Sequence, residues 1–251
     1  MKISIITVSY NSEATLSRTF ESILAQSHQD IDYVVIDGAS TDHTIDIIRQ
    51  YEPRFEGRMR WVSEPDKGLY DAMNKGVAMA IGDVIGILNS DDFFTTNDVL
   101  ARMAAAFDDT CDAVYGDVHF VKETDLSRKV RYYSGKLFRP WMVRFGYIPP
   151  HPSLYVRRSI YQKYGPYDSS FRISADVEFI ARISYVNNVA MKYIPMDFVT
   201  MLVGGESTKS LRNRWIGTKE DLVACRKLGI HSNLIFVHFK YFLKLLDYFM
   251  I

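Results

Sequence analysis

The sequence predicts an α/β fold, a mostly parallel sheet covered by helices on both faces, and three observations predict it. Short β-branched runs alternate with segments of helical periodicity from Ile3 to Phe107. Clusters of Ser, Thr, Asn, Asp and Gly fall just after the strands. From Ala113 onward the alternation fails, so a second half is built differently.

The elements follow in order. Ile3–Val8 reads as a buried strand, and Ser12 offers a helix N-cap ahead of Leu16, Phe20, Ile23 and Leu24. Tyr33–Ile36 is a second strand, leading through "DGASTD" to a helix carrying Ile45, Ile48 and Tyr51. Met59–Ser63 is a third strand, and Leu69–Ala80 a helix broken around Gly76. Val84–Leu88 ends at "NSDD", with Asn97–Phe107 helical after it. The second half carries strands at Ala113–Tyr115, Val118–Val121 and Val130–Tyr133 around the charged turn "KETDLSRK". Arg139–Pro152, rich in aromatics and prolines, reads as irregular surface. Then come a helix at Ala175–Val186, strands at Ala190–Ile194 and Phe198–Leu202, a "GGESTKS" loop and two closing helices. In a parallel sheet, ligands bind outside the carboxyl ends of the strands, where the polar clusters fall.

With 251 residues, 47% of them apolar, the chain can bury one substantial core. Thirty basic and thirty acidic side chains balance, which gives no sign of a nucleic-acid partner. Cys111 and Cys225 stand far apart and indicate neither a disulfide framework nor a thiolate zinc site, so a cytoplasmic location is expected. The opening residues are too short and too β-branched for a signal peptide, and no transmembrane run is evident.

The sharpest chemistry lies at Asn89-Ser90-Asp91-Asp92. Adjacent carboxylates at a ligand edge suit Mg2+ or Mn2+, which takes one or two carboxylates and fills its remaining positions with phosphate and water. Such a metal would stabilise a departing diphosphate. The alternative is an Asp-Asp turn that caps the next helix. Matching polar groups follow the other strands: Thr7, Ser9 and Asn11; Asp37; and Glu64, Asp66 and Lys67. Asp37 has the chemistry to accept the imide N–H of uracil, although "DGASTD" is also ordinary turn chemistry. No glycine-rich phosphate loop occurs, which disfavours ATP or NAD and leaves a metal as the charge partner for phosphate.

The ordered segments "ISIITVSYN", "VVIDGASTDHT", "SEPDKGLYDAMNKG" and "ILNSDD" resemble the successive motifs of the family 2 glycosyltransferases. The resemblance is strong to about residue 116 and looser to about residue 207. It implies a Rossmann-like nucleotide-diphospho-sugar transferase fold, with a glycosyltransferase domain at 1–207 (donor half 1–116, acceptor half 117–207) and a helical extension at 208–251. It further implies that Thr7, Val8, Ser9, Asn11, Asp37, Asp66, Gly68, Asn74 and Asp91 serve the UDP-sugar donor. Asp92 is then the metal ligand, with Asp91 beside it. Asn89 replaces the leading aspartate of the family's metal signature. Met73 stands where many members carry a nucleotide-binding arginine, leaving Lys67 or Lys75 as substitutes.

Inversion at the anomeric carbon needs a base opposite the leaving diphosphate. Asp176 in "RISADVEFIAR" matches the family's catalytic position, with Ala175 where an acidic residue usually precedes it. A helix-capping role is the alternative for Asp176, and Glu178 is the second candidate base. His151 falls where similar proteins carry a histidine near the acceptor, and "GGESTKS" suits a lid. "RNRW" is similar to a motif of processive synthases but lacks their glutamine, so transfer of a single sugar is expected. In the last helix, Leu234–Ile251, Lys240, Lys244 and Asp247 share a polar stripe opposite His238. Such a helix packs on the domain, forms a homodimer interface, or lies on a membrane surface.

The reading is single-sugar transfer from a UDP-sugar to a hydroxyl of a glycan or lipid-linked saccharide in bacterial surface polysaccharide synthesis. It places the chain in the cytoplasm or peripherally on the inner face of the plasma membrane. A sugar nucleotidyltransferase and a non-catalytic sugar-binding protein are the rivals. "TVSYNSEATL" lacks the glycine-rich, arginine-containing loop of the first, and the second has no need of Asp176.

Overall fold

A computed structural model describes residues 1–204 and 210–245. Its centre is a nine-stranded sheet. Strands β1 (Ile3–Ser9), β2 (Ile31–Asp37), β3 (Met59–Ser63) and β4 (Val84–Ile87) pair in parallel in the order β3-β2-β1-β4. Helices α1 (Leu16–Leu24), α2 (Thr44–Tyr51) and α3 (Leu69–Met79) connect them. β1, β2 and β4 are buried along their whole length, which is why they read as largely apolar runs, with Ser4, Thr7 and Asp32 as buried polar interruptions. Because β2 and β3 lie on one side of β1 and β4 on the other, the chain reverses direction across the sheet at β1. Such a switch point opens a crevice at the strand ends.

The second half completes the same sheet. Short β5 (Phe93–Phe94) and helix α4 (Val99–Ala106) lead to β6 (Ala113–Lys122) and its hairpin partner β7 (Asp125–Tyr133). β8 (Tyr155–Arg157) slots antiparallel between β4 and β6. After α5 (Arg158–Tyr164) and α6 (Ala175–Ala181), β9 (Met191–Leu202) runs parallel to β6 and antiparallel to β5. Two helices follow, α7 (Leu211–Lys227) and α8 (Leu234–Leu245). The mixed α/β fold expected from the sequence is the one observed.

Several local expectations need correction. The helix after β1 starts at Leu16 with Thr15 at its cap position, while the Ser12 hydroxyl bonds Ser90 instead. Helix α3 is not broken at Gly76. There the glycine lets the helix lie directly on β1, where a Cβ would collide with Ile6. The strand pairs expected on either side of Gly116 and Pro195 are single strands, β6 and β9, whose pairing slips register at those points. Pro140–Phe145 and His151–Ser153 form short 3-10 turns inside the segment read as irregular. β5, β8 and α5 carry too few residues to show a period. Residues 205–209 of the expected lid and 246–251 of the last helix lie outside the described residues. Ser210, the loop's last residue, caps α7 by accepting the Asn213 N–H at 3.0 Å.

Candidate active site

The strand ends of β1 to β4 open on a cleft of about 930 Å³. Its walls include Val8, Ser9 and Tyr10 after β1, Gly38 after β2, and Pro65 to Ala72 after β3. Asn89, Ser90 and Asp91 follow β4, and Ser169 to Arg172 close the acceptor side. Val8, Ser9, Asp66, Gly68 and Asp91 therefore stand where the sequence placed a ligand.

Three other expected donor residues are engaged by the protein itself. Thr7 is fully buried, donating to the Leu88 carbonyl at 2.7 Å and accepting from the Tyr33 hydroxyl at 2.9 Å. Asn11 turns its Oδ1 to the Thr41 N–H at 2.9 Å and so braces the neighbouring loop. Asn74 binds both backbone groups of Tyr167, donating to its carbonyl at 2.8 Å and accepting its N–H at 2.9 Å. These three polar groups are occupied by protein partners.

Asp37 is the most informative of the buried set. It is 0% exposed, and its two oxygens accept from Ser9 Oγ (3.3 Å), Ser40 N (2.9 Å), Ser40 Oγ (2.5 Å) and Ser63 Oγ (2.7 Å). The turn that delivers Ser40 holds Ala39 at φ 60°, a left-handed conformation rarely adopted outside glycine and asparagine. Asp37 thus fastens the ends of β1, β2 and β3 together. Asp66, by contrast, lines the cleft. Its Oδ1 pairs with Lys75 at 2.6 Å, while a Cβ at Gly38 would come within 3.0 Å of its Oδ2. Glycine at 38 leaves the room that Asp66 takes. Lys75, further held by Glu64 at 2.8 Å, is committed to these carboxylates, which raise its pKa, and Lys67 is the lysine on the cleft wall.

At the β4 end, Ser12 Oγ lies 2.8 Å from Ser90 Oγ, and Thr19 Oγ1 lies 2.8 Å from the Asp92 carbonyl, so α1 and its approach fix the loop. Asp91 is on the cleft wall. Asp92 is 1% exposed behind it and accepts from Asn89 Nδ2 at 3.1 Å. Burial raises the pKa of both carboxyls; for Asp92 the charge of Asp91 raises it further and the Asn89 bond opposes this. Asn89 Oδ1 is buried without a partner. Two crowded carboxyls and an orphaned amide oxygen make a donor set of hard oxygens that a divalent cation would satisfy. Among the described residues no group of three or more His, Cys, Asp or Glu side chains gathers as a ready-made metal cage.

Asp176 stands in the first turn of α6, where its Oδ1 accepts the Val177 N–H at 2.8 Å and the Tyr70 hydroxyl at 3.3 Å. Tyr70, from α3, lines the cleft and also donates to the Ile173 carbonyl at 2.5 Å. Burial, then the negative charge of Asp176, raises the Tyr70 pKa, so the phenol stays protonated as a donor. Behind this pair His151 Nε2 meets the Tyr167 hydroxyl at 2.8 Å, and burial lowers the imidazole pKa to about 4. His151 is therefore a neutral strut. Glu178 cannot serve as the base: it is buried and clasped by the Arg182 guanidinium at 3.0–3.3 Å. The sequence reading missed Tyr70 and Arg172. Tyr70 sits in the first turn of a helix that follows a ligand-edge strand, a place where a side chain meets the cleft.

Several known proteins resemble this chain. The model of the family described as Glycosyl transferase family 2 matches residues 4–165. An uncharacterized glycosyltransferase of Mycobacterium tuberculosis is 34% identical over 226 residues, spanning 83% of this chain and 79% of its own. A PGL/p-HBAD biosynthesis glycosyltransferase of Mycobacterium bovis is 34% identical over 181 residues, spanning 71% and 68%. Among solved structures, S. aureus TarS 1-349 in complex with UDP-GlcNAc superposes with a TM-score of 0.67 at 18% identity, over 96% of this chain and 73% of that one. The chain spans only 39% of the longer TarS structure. The mannosyltransferase PcManGT from Pyrobaculum calidifontis, in complex with GDP-Man and Mn2+, gives 0.61 at 16% identity, over 95% and 78%. Likeness at such identities is a likeness of fold.

Proposed function

The chain belongs to glycosyl transferase family 2, and from that membership we propose that it moves one sugar, with inversion, from a UDP-sugar to an acceptor hydroxyl. The observation that carries this reading is the convergence on one cleft of Asp66, Asp91 and Tyr70, whose hydroxyl meets Asp176 at 3.3 Å. The TarS structure holding UDP-GlcNAc and the mannosyltransferase holding GDP-Man with Mn2+ lend support, since the same fold carries nucleotide sugars in both.

The nucleobase lies against the part of the cleft wall formed by Gly38 and Asp66, and the diphosphate extends toward Asp91. A bound Mn2+ or Mg2+ would neutralise the charge of the departing diphosphate. Asp91 on the cleft wall and the buried Asp92 beside it would hold that ion. Asp176 takes the proton of the acceptor hydroxyl as its oxygen attacks the anomeric carbon. The bond from that carbon to the diphosphate oxygen breaks, and UDP departs with the electron pair. Tyr70 holds the Asp176 carboxylate and closes the donor pocket from the acceptor side. Its hydroxyl proton is shared between the Ile173 carbonyl at 2.5 Å and the Asp176 carboxylate at 3.3 Å, so it orients the base without supplying the proton. The acceptor is a hydroxyl of a glycan, borne on a lipid if the surface described below meets a membrane.

Calorimetry with UDP, GDP and CDP in the presence of Mn2+ tests the donor reading. UDP should bind at least tenfold tighter than the other two, corresponding to about 1.4 kcal/mol. Equal binding of GDP would replace the UDP assignment with a guanine donor. With a donor in hand, NMR of the first sugar product reports the anomeric configuration, and retention would overturn the role given to Asp176.

A further inference from the structure

Helix α8 and its partner α7 present an outward surface that the cleft does not use. Lys240 of α8 is 9% exposed and faces inward, its ammonium paired with the buried Asp221 of α7 beneath Gly146. Val237 faces inward with it. On the other side Ile235, Phe239 and Phe242 are 81%, 45% and 58% exposed and lie within about 60° of helix arc. Lys240 of this helix is thus turned to the protein and an apolar stripe to solvent. The ring of Phe239 stacks on Phe242 at 5.5 Å and meets Phe145 at 5.5 Å, which in turn contacts the exposed Trp141 at 5.8 Å.

The neighbouring helix supplies charge. Arg212, Trp215, Lys219, Val223 and Arg226 of α7 are all exposed and fall within about 80° of arc. Trp215 packs on His238 of α8 at 6.5 Å, so the two stripes adjoin. The acidic residues of α7 are both engaged inward: Glu220 accepts the backbone N–H groups of Arg172, Ile173 and Ser174, and Asp221 is buried on Lys240. Leu211–Lys227 and Leu234–Leu245 contain no other acidic residue, Asp247 lying beyond the described part of the last helix, in a chain whose formal charge is zero.

We propose that this face of α7 and α8, with Trp141, lies on an anionic lipid surface. The apolar stripe enters the headgroup boundary, and Arg212, Lys219 and Arg226 meet lipid phosphates. A second copy of the chain fits less well, because a two-fold contact would set this cationic stripe against itself. The binding needs neither donor nor metal and so stands apart from the sugar-transfer reading.

The test is sedimentation of the full chain with vesicles of phosphatidylcholine alone and with phosphatidylglycerol added. The protein should pellet with the second and be released by high salt. Arg212→Glu with Lys219→Glu should weaken that binding at least tenfold, as should Phe239→Ser with Phe242→Ser. All four positions are exposed, so melting temperatures should hold close to wild type. Tryptophan fluorescence should be quenched by lipids brominated on their chains, through Trp141 and Trp215. Failure to pellet with either vesicle, or pelleting that survives both pairs of changes, overturns the proposal. So does a dimer, seen by analytical ultracentrifugation, that the same changes dissolve.

Discussion

The hydroxyl of Tyr70 reaches Oδ1 of Asp176 at 3.3 Å, joining a helix of the donor half to a helix of the acceptor half across 106 positions of sequence. A donated hydrogen bond stabilises a carboxylate in its charged form. Tyr70→Phe should therefore raise the pKa of the base and move the acid limb of the kcat profile to higher pH. Asp176→Asn should leave UDP affinity within about threefold and lower transfer by about 10²–10⁴. An unchanged profile in Tyr70→Phe, or normal turnover in Asp176→Asn, would remove the pair from the chemistry. Glu178 offers no refuge in that case, because Arg182 holds it.

The two aspartates at the base pocket should separate cleanly. Asp66→Asn should weaken UDP binding by about 1.5–3 kcal/mol, the scale of a hydrogen bond to a charged partner, with little change in melting temperature. Asp37→Asn turns an amide N–H2 toward hydroxyls and an N–H that were all donating. It should destabilise the fold by about 1–3 kcal/mol. Calorimetry and thermal unfolding on the same preparations check both. A large affinity loss in Asp37→Asn without loss of stability would return the base-reading role to Asp37.

Asp91 and Asp92 make metal binding depend on pH. Both carboxyls have raised pKa values in the folded chain. Such groups stabilise the fold below their unfolded values, about 3.9, and that contribution is lost as pH rises through the folded values. Metal-free Asp92→Asn should accordingly gain on wild type in melting temperature as pH rises through that window. In wild type the stabilisation by Mn2+ with UDP should grow over the same range, because bound metal displaces protons. Asp91→Asn should abolish the Mn2+ dependence of UDP binding. Retention of full Mn2+ dependence in that variant would place the metal elsewhere.

Gly76 tests the packing under the site. Gly76→Ala introduces a methyl where Ile6 already sits, and overpacking of this kind costs about 1–3 kcal/mol. Chemical denaturation should show the loss. An unchanged midpoint would mean that α3 can lift from β1 at no cost.

The parallel half was legible because β1, β2 and β4 are covered on both faces, which forces apolar runs of a kind that loops and surface strands do not carry. Their ends were legible too, since polar residues clustered there have few structural uses. The division of labour among those residues was not. Asp37 and Asp66 are both carboxylates at strand ends, and only the serines around the first and Gly38 beside the second decide which one is sealed. Asn74 looked like a ligand contact because it lies in the motif, whereas its partner is the Tyr167 backbone, 93 positions away. β8 escaped notice because three residues have no periodicity. Helix α8 kept its amphipathic pattern in the sequence, but the pattern alone did not say which side would face Asp221.

The position of β8 has a consequence for how the molecule holds together. It is the strand that pairs with β4 on the side away from β1, and it arrives from beyond residue 150. A chain cut near residue 116 would leave the fully buried β4 as a raw edge, its backbone groups unpaired and its apolar side chains uncovered. Residues 1–116 should therefore fail to fold on their own. The donor half gains a closed sheet only when the acceptor half is threaded into it, so the two halves should form and melt as one cooperative unit.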